Sequence, residues 1–391
     1  MPTVLNEDPT RQSGEPAHDY YAPNFKVLVD GGELSPETHG DVLNLKVTMD
    51  IANLTSFDLT INNWDDQSFN FKYSDKTTFD VGRRVDLQLG YADDLKFMVS
   101  GLVSTLTPRF PESGTPTLGV TGVDSLIKLR DRKPVAGDQR SFVNMSDSEI
   151  AQVIASRNRL KPQITATTEK HAQIVQRNQD DAVFLMERAK SIDFDCYIRV
   201  DPQSGNGQLF FVKPTDNRDQ RRSRVFVFEW GKNLINFNPQ ITLHRQVGSV
   251  TVRGWNPATK EVITYTARSG DLPRTGGGGL TGPEAAQQRL GNRQEVVVDR
   301  PVASLQEARE YATSLLRERA YYFLTGSGQV IGLPDLRPGD NLELHQLGRR
   351  YSGPVDNRIQ YYVTKVIHTL GNSGYQTQFE VRATADGGTE E

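Results

Sequence analysis

From Phe25 the chain alternates apolar and polar residues in short runs. Phe25 to Val29 is the first, closed by Asp30-Gly31-Gly32. Leu43 to Met49, Phe57 to Ile61, Val85 to Tyr91, Phe97 to Leu106 and Thr117 to Val123 follow. A period of two sends successive side chains to opposite faces of a strand. Six such strands at close spacing, with no long helix among them, predict a barrel or sandwich.

Near residue 141 the period changes. Ser146-Asp147-Ser148-Glu149 fits a capping box, and Ile150, Val153 and Ile154 follow at helical spacing. A second helix is predicted from about Asn178, carrying Val183, Phe184, Leu185 and Ala189. Strands Cys196 to Val200 and Gln208 to Val212 come next, joined by a turn over Pro202 to Gly207. From Val225 the strand pattern returns at Val225 to Phe228, Ile241 to Leu243, Val247 to Trp255 and Glu261 to Ala267. A helix is predicted near 304–322, opened by Ser304 and Glu307, with Ala308, Ala312, Leu315, Leu316 and Ala320 on one stripe. Asn341 to His345, Tyr361 to Thr369 and Tyr375 to Arg382 close the pattern as strands.

The predicted fold class is therefore mainly β with an α/β insertion: two β-barrels flanking a small α/β module. The domains are a flexible N-terminal arm at 1–22, a first β-barrel at 23–140, the α/β module at 141–225, a second β-barrel at 226–382 and a polar tail at 383–391. Within the second barrel, 269–293 contains Gly276 to Gly279. A glycine run with little apolar content has high backbone entropy and nothing to bury, so it is expected to be mobile.

The two β regions share a pattern. Gly82-Arg83-Arg84-Val85-Asp86-Leu87 and Gly339-Asp340-Asn341-Leu342-Glu343-Leu344 each place a turn glycine before an apolar-acid-leucine strand. Phe97 to Gly101 in the first region has a looser counterpart in Tyr351-Ser352-Gly353. Chance similarity between turns and strands can produce this, as can duplication. If it is duplication, the chain carries two related barrels.

Composition narrows the function classes. The net charge of −4 gives no footprint for nucleic acid, and the dense cluster Arg218, Arg221, Arg222 and Arg224 reads as a solvated loop. Cys196 is the single cysteine, which rules out an internal disulfide. It sits in an apolar run without a basic neighbour and reads as a small buried side chain, not a nucleophile. No stretch reaches the length of a membrane span, and the N-terminus lacks the apolar core of a secretory signal. Synthesis and folding in a cytoplasm are expected.

A search for chemistry finds no constellation. The six histidines, at 18, 39, 171, 244, 345 and 368, form no metal-binding pair by spacing, although His345 and His368 could meet across a sheet. There is no nucleophile elbow and no phosphate-binding loop. Asp65-Asp66, Asp93-Asp94 and Asp180-Asp181 are doublets suited to turns, local amide bonds or a helix N-terminus. The expectation is no catalytic, cofactor-binding or metal site, no cofactor, and no enzyme activity. Trp64, Trp230 and Trp255 read as core or interface packing.

In their order, these features resemble the phage late control protein D family, the baseplate hub proteins of contractile phage tails and contractile injection systems. The marks run from Asp30-Gly31 through Phe79-Asp80-Val81-Gly82, Leu89-Gly90-Tyr91, Leu106 to Pro111 and Gly122 to Leu126. They continue through Ser148 to Ala151, Gln176 to Asp181, Val250 to Pro257 and Leu336-Arg337-Pro338-Gly339. The resemblance implies a structural homotrimer with two tube-like barrels per chain. Its six barrels would match a six-fold inner tube protein on one side and a three-fold spike on the other. The sequence stops soon after Arg382, so a separate spike protein is expected, along with other baseplate proteins as partners. Alternatives are a cell-wall-degrading peptidoglycan hydrolase or a carbohydrate-binding tail component. Val85 to Tyr91 and Asn341 to His345 are expected at the seam between copies.

Overall fold

The computed structural model describes residues 3–5, 22–51, 53–75, 77–92, 94–124, 140–192, 194–200, 207–213, 225–256, 260–272, 274–291, 293–298, 302 and 304–389. The fold is mainly β with small helical insertions. The first region forms six main strands: β1 Pro23–Val29, β2 Val42–Asp50, β3 Ser56–Asn62, β4 Arg84–Tyr91, β5 Asp94–Arg109 and β6 Thr117–Asp124. They lie in the order β1-β4-β5-β6-β3-β2, each antiparallel to its neighbours. Val27 and Val29 at one end share a buried cluster with Leu45, Val47 and Met49 at the other, so the sheet curls about one core. Burying these alternate apolar side chains is the main term favouring the curl.

The α/β module comprises β7 Arg140–Ser146, α1 Asp147–Arg157, β8 Lys161–Ile164, β9 Lys170–Gln176, α2 Asp181–Ser191, β10 Asp195–Val200 and β11 Gly207–Val212. Ser146 caps α1: its hydroxyl accepts from the Glu149 amide, and the Glu149 carboxylate accepts from the Ser146 amide at 2.8 Å. Asp180 caps α2 by accepting from the Val183 amide at 2.7 Å. Ile150 and Ile154 of α1 meet Phe184 and Leu185 of α2 over Leu209 and Phe211 of β11. Strands β7, β8 and β9 were not expected; β8 has only four residues and β9 is largely solvent-facing, so neither alternates clearly. The predicted turn over Pro202 to Asn206 and the cluster Arg218 to Arg224 lie outside the described residues.

The second region contains β12 Val225–Glu229, β13 Leu234–Ile241, β14 Ser249–Asn256, β15 Glu261–Arg268, α3 Gly282–Leu290, β16 Gln294–Val297 and α4 Leu305–Ala320. It closes with β17 Leu324–Ile331, β18 Asn341–His345, β19 Gln360–Gly371 and β20 Gly374–Ala383. Helix α4 matches the prediction, with the Ser304 hydroxyl accepting from the Glu307 amide at 3.0 Å. Six strands run β12-β18-β19-β20-β17-β13 around a core that includes Phe228, Leu342, Tyr361 and Phe379. Between β13 and β17 the chain inserts a separate sheet, β15-β14-β16, which packs on α4. Residues 226–382 are thus a barrel with a sheet-and-helix insertion, where a barrel with one helix and a loop was expected.

The two six-stranded sheets repeat one plan. Read in chain order, β1 to β6 correspond to β12, β13, β17, β18, β19 and β20, and the spatial orders then coincide. Asn341 pairs with Tyr362 as Arg84 pairs with Leu102. Gly82 and Gly339 both adopt φ near +86°, a region open to glycine at no steric cost. Gly82 donates to the Val103 carbonyl and Val103 to Arg83; Gly339 donates to Val363 and Val363 to Asp340, all at 2.8–2.9 Å. Both sheets bulge at the same two places: the pairing skips Ser104 and Thr364, and it skips Leu43 and Ile235. The Ser104 and Thr364 hydroxyls even donate to equivalent carbonyls, of Thr121 and Glu380, at 3.1 and 3.2 Å. Shared bulges are not dictated by local turn chemistry, so the echo is a structural repeat. One departure remains: β1 is antiparallel to β4, whereas β12 is parallel to β18.

Three expectations at loops and ends are corrected. Residues 269–293 are not an unpacked loop. Gly276 and Gly277 are buried, Gly277 donates to the Asn357 carbonyl at 3.0 Å, and 282–290 form α3 under a Thr281–Glu284 capping box. A side chain at Gly279 would meet the Asp386 carboxylate at 2.0 Å. Here glycine serves close packing, not freedom. The expected polar tail is packed as far as Asp386, whose carboxylate accepts from the Leu280 amide at 3.0 Å while Thr384 and Ala385 are fully buried. Within the expected N-terminal arm, Thr3–Leu5 adds a short antiparallel strand to β12.

Candidate assembly interface

The two barrels are fused through main-chain pairing. Strand β19 has β20 along one side; on the other it meets β18 at Gln360 to Tyr362, and β2 takes over from Lys365 to Gly371. In this junction Asp50 lies opposite Lys365, Met49 opposite Val366, Val47 opposite His368 and Asn44 opposite Gly371. Leu45, Val47 and Met49 are buried there, as are Val366 and His368. Side chains tie the same seam. Tyr91 donates to the Gly332 carbonyl at 2.8 Å, and Arg337 donates to the Phe97 carbonyl at 3.2 Å.

His368 sits at the middle of the junction and is fully buried. Its Nδ1 lies 2.9 Å from the Tyr375 hydroxyl and 3.1 Å from the Thr377 hydroxyl, and its Nε2 lies 3.3 Å from the Leu336 carbonyl. Burial, reinforced by the Arg337 cation, holds its pKa well below the usual value of 6.5. The ring is therefore neutral, and it does not meet His345, which lies beside Glu343 at 3.4 Å.

The strands expected at a seam between copies are interior. Val85 to Tyr91, in β4, is held between β1 and β5, and Asn341 to Glu343 of β18 between β12 and β19, with Leu344 and His345 paired to β12 alone. A strand paired on both sides has no ladder groups left to offer. Among the described residues, the edges of the barrel sheets that lack a strand partner include the outer side of β13, and Thr105 to Arg109 on the side of β5 where β4 has ended.

Several polar groups are held by their neighbours. Asp181 is completely buried and receives Arg140 at 2.8 Å and both Asn158 and Gln176 at 2.9 Å. Asp65 accepts from the Gln67 amide and the Ser68 hydroxyl, as a turn aspartate does. Cys196 is half-buried, and burial pushes its thiol up to about 12, which disfavours the thiolate. Trp230 and Trp255 are more than half exposed, a correction to the core reading. Among the described residues no group of three or more His, Cys, Asp or Glu side chains is arranged to hold a metal ion.

One cleft, of about 630 Å3 between α2 and α4, gathers Asp147, Glu169, His171, Arg188 and Glu310. Burial would raise the Asp147 carboxyl, but His171 at 2.9 Å and Arg188 at 2.6 and 3.1 Å outweigh it and hold the pKa below the usual range. Both of its oxygens are occupied. Burial raises Glu310, which accepts from Gln306 at 2.7 Å, while Glu169 accepts from Ser304 at 2.5 Å. A glycosidase carboxylate must face substrate, whereas Asp147 is locked in an ion pair.

The model of the family described as Alg8 N-terminal domain matches residues 20–372. Among solved structures, the 43 kDa tail protein of prophage MuSo2 from Shewanella oneidensis aligns with TM-score 0.65 and 14% identity, covering 92% of this chain and 98% of that one. A tail protein from Neisseria meningitidis MC58 aligns at 0.62 and 13%, covering 93% and 97%. An E. coli component of the type VI secretion system aligns at 0.55 and 10%, covering 94% and 79%. At these identities the likeness is one of fold. No curated protein matches the chain in sequence.

Proposed function

The chain belongs to the Alg8 N-terminal domain family, and from its duplicated barrel we propose that it is a non-catalytic hub subunit of a contractile, phage-tail-like injection apparatus. In this reading it forms a trimeric ring that adapts a six-fold inner tube to a three-fold spike, with the tube protein, a separate spike protein and other baseplate proteins as partners. The finer attribution, to a hub of the late control protein D kind, is part of the proposal. The observation that carries it is the duplicated barrel. One chain supplies two equivalent strand platforms, so three chains supply six, and a mismatch between six-fold and three-fold neighbours is resolved inside the subunit. The fold shared with phage tail proteins and a type VI secretion component supports the same reading. The engaged state of Asp147 supports a role without hydrolysis.

Removing the chain from a particle-producing cell tests this. Complete particles should be lost, leaving unattached tube and sheath material. Wild-type chain and the Glu310→Gln variant should restore particles, with equal cell-wall degradation. Normal particles without the chain would contradict the structural role; turnover of peptidoglycan lost with Glu310→Gln would contradict the non-catalytic one.

A further inference from the structure

We propose that a second copy of this chain docks on two of these open edges, the outer side of β13 and Thr105 to Arg109 of β5. Strand β13 of one copy runs antiparallel along Thr105 to Arg109 of the next, in the register that β2 and β19 already adopt within one chain. The inference rests on the reading that several copies close into a ring, and it assigns the seam residue by residue.

The repeat supplies the template. Strand β13 is the counterpart of β2, and β5 is the counterpart of β19, with the same bulges on both sides. Within the chain, β2 covers the half of β19 that β18 leaves free. Among the described residues, the equivalent half of β5 has no strand partner, and neither has the outer edge of β13. Burial tells the same story. Val47 and Met49 are buried, while their counterparts Pro239 and Ile241 are only half-buried; Val366 and His368 are buried, while Leu106 is half-buried and Pro108 exposed. Leu106 packs at the lip of the first core and Ile241 at the lip of the second. Positions covered at the inner junction are uncovered at the outer edges, as expected of one contact made once inside the chain and left unmade outside it.

Transferring the register of Lys365–Asp50, Val366–Met49, Ile367–Thr48, His368–Val47 and Thr369–Lys46 places Thr105 opposite Thr242, Leu106 opposite Ile241, Thr107 opposite Gln240, Pro108 opposite Pro239 and Arg109 opposite Asn238. The two lip residues meet, and no like charges face each other. The prolines identify the occupant. Ile51 donates to the Thr364 carbonyl at 3.0 Å, so hydrogen-bonded rungs fall at every second residue and include Val47–His368. Its counterpart is Pro108–Pro239. Each proline lacks the donor at the position where its edge would bond outward, which makes both edges poor templates for an arbitrary strand. Against each other, the two losses fall on a single rung. A copy of this chain therefore gives up one rung where two mismatched edges would give up two.

The non-bonded pair Thr107–Gln240 has the close Cα spacing that a disulfide accepts. Full-length chain carrying Thr107→Cys with Gln240→Cys is oxidised, alone and with its tube and spike partners. The comparison is Thr107→Cys with Ile241→Cys, whose second side chain points to the other face. Each single variant, checked for an unchanged melting temperature, serves as a baseline. The matched pair should cross-link between chains at least tenfold more than the slipped pair and the singles. A closed three-chain species supports seam and ring together. An open ladder of linked chains supports the seam and contradicts the ring. Cross-linking of the matched pair no greater than that of the slipped pair, both with and without partners, overturns the seam.

Discussion

Replacing Asp181 by alanine should destabilise the α/β module by about 3 kcal/mol, the largest effect expected of a single polar substitution here. Removing one partner of a buried ion pair costs about 3–5 kcal/mol, because the remaining charge keeps its desolvation penalty. The lower end applies, since the Arg140 and Arg157 side chains are 20% and 29% exposed and water relieves them in part. Asn158 and Gln176 each lose an acceptor as well. Asp181→Asn keeps the shape and one acceptor oxygen, so it should lose less. Hydrogen exchange across 140–192 reads the effect: protection there should collapse while the barrel strands keep theirs. A loss below about 1 kcal/mol, or one spread evenly over the chain, would contradict the assignment.

Acid should weaken the inner junction through His368. Its folded pKa lies below the unfolded value of 6.5, so the unfolded chain binds the proton first. Its contribution is therefore intact above about pH 6.5 and declines as pH falls, by up to about 1.4 kcal/mol per unit, until the folded pKa is reached. Denaturant titrations between pH 7 and pH 5 should show this slope, and His368→Gln should flatten it by up to one proton while lowering stability at pH 7. An unchanged slope would mean that the ring is not held neutral between β2 and β19.

The alternating strands of the first barrel were legible because burying one face of a sheet imposes a period of two that survives in Leu43 to Met49 and Phe57 to Ile61. The helix caps at Ser146 and Ser304 were legible for a similarly local reason. Strand β17, Leu-Thr-Gly-Ser-Gly-Gln-Val-Ile, escaped notice because Gly326 and Gly328 stand where Phe237 and Phe379 fill the space from neighbouring strands. Strand β13 escaped because Pro239 and three nearby asparagines and glutamines belong to an edge. The repeat showed only at Gly82 and Gly339, since its strongest marks are bulges and hydrogen bonds that many residues can make. Glycine-rich 276–279 misled for the converse reason: composition cannot tell a flexible glycine from one pressed against Asp386. The seam strands were misjudged because pairing partners are non-local. Nothing within Val85 to Tyr91 reveals that β1 lies on its far side.

The central claim is that one duplicated chain, taken three times, makes a six-barrel ring. Native mass measurement of the chain co-expressed with its spike partner tests it most directly. The account predicts a complex of three chains with three spike subunits; a stable dimer or a ring of six chains would contradict it.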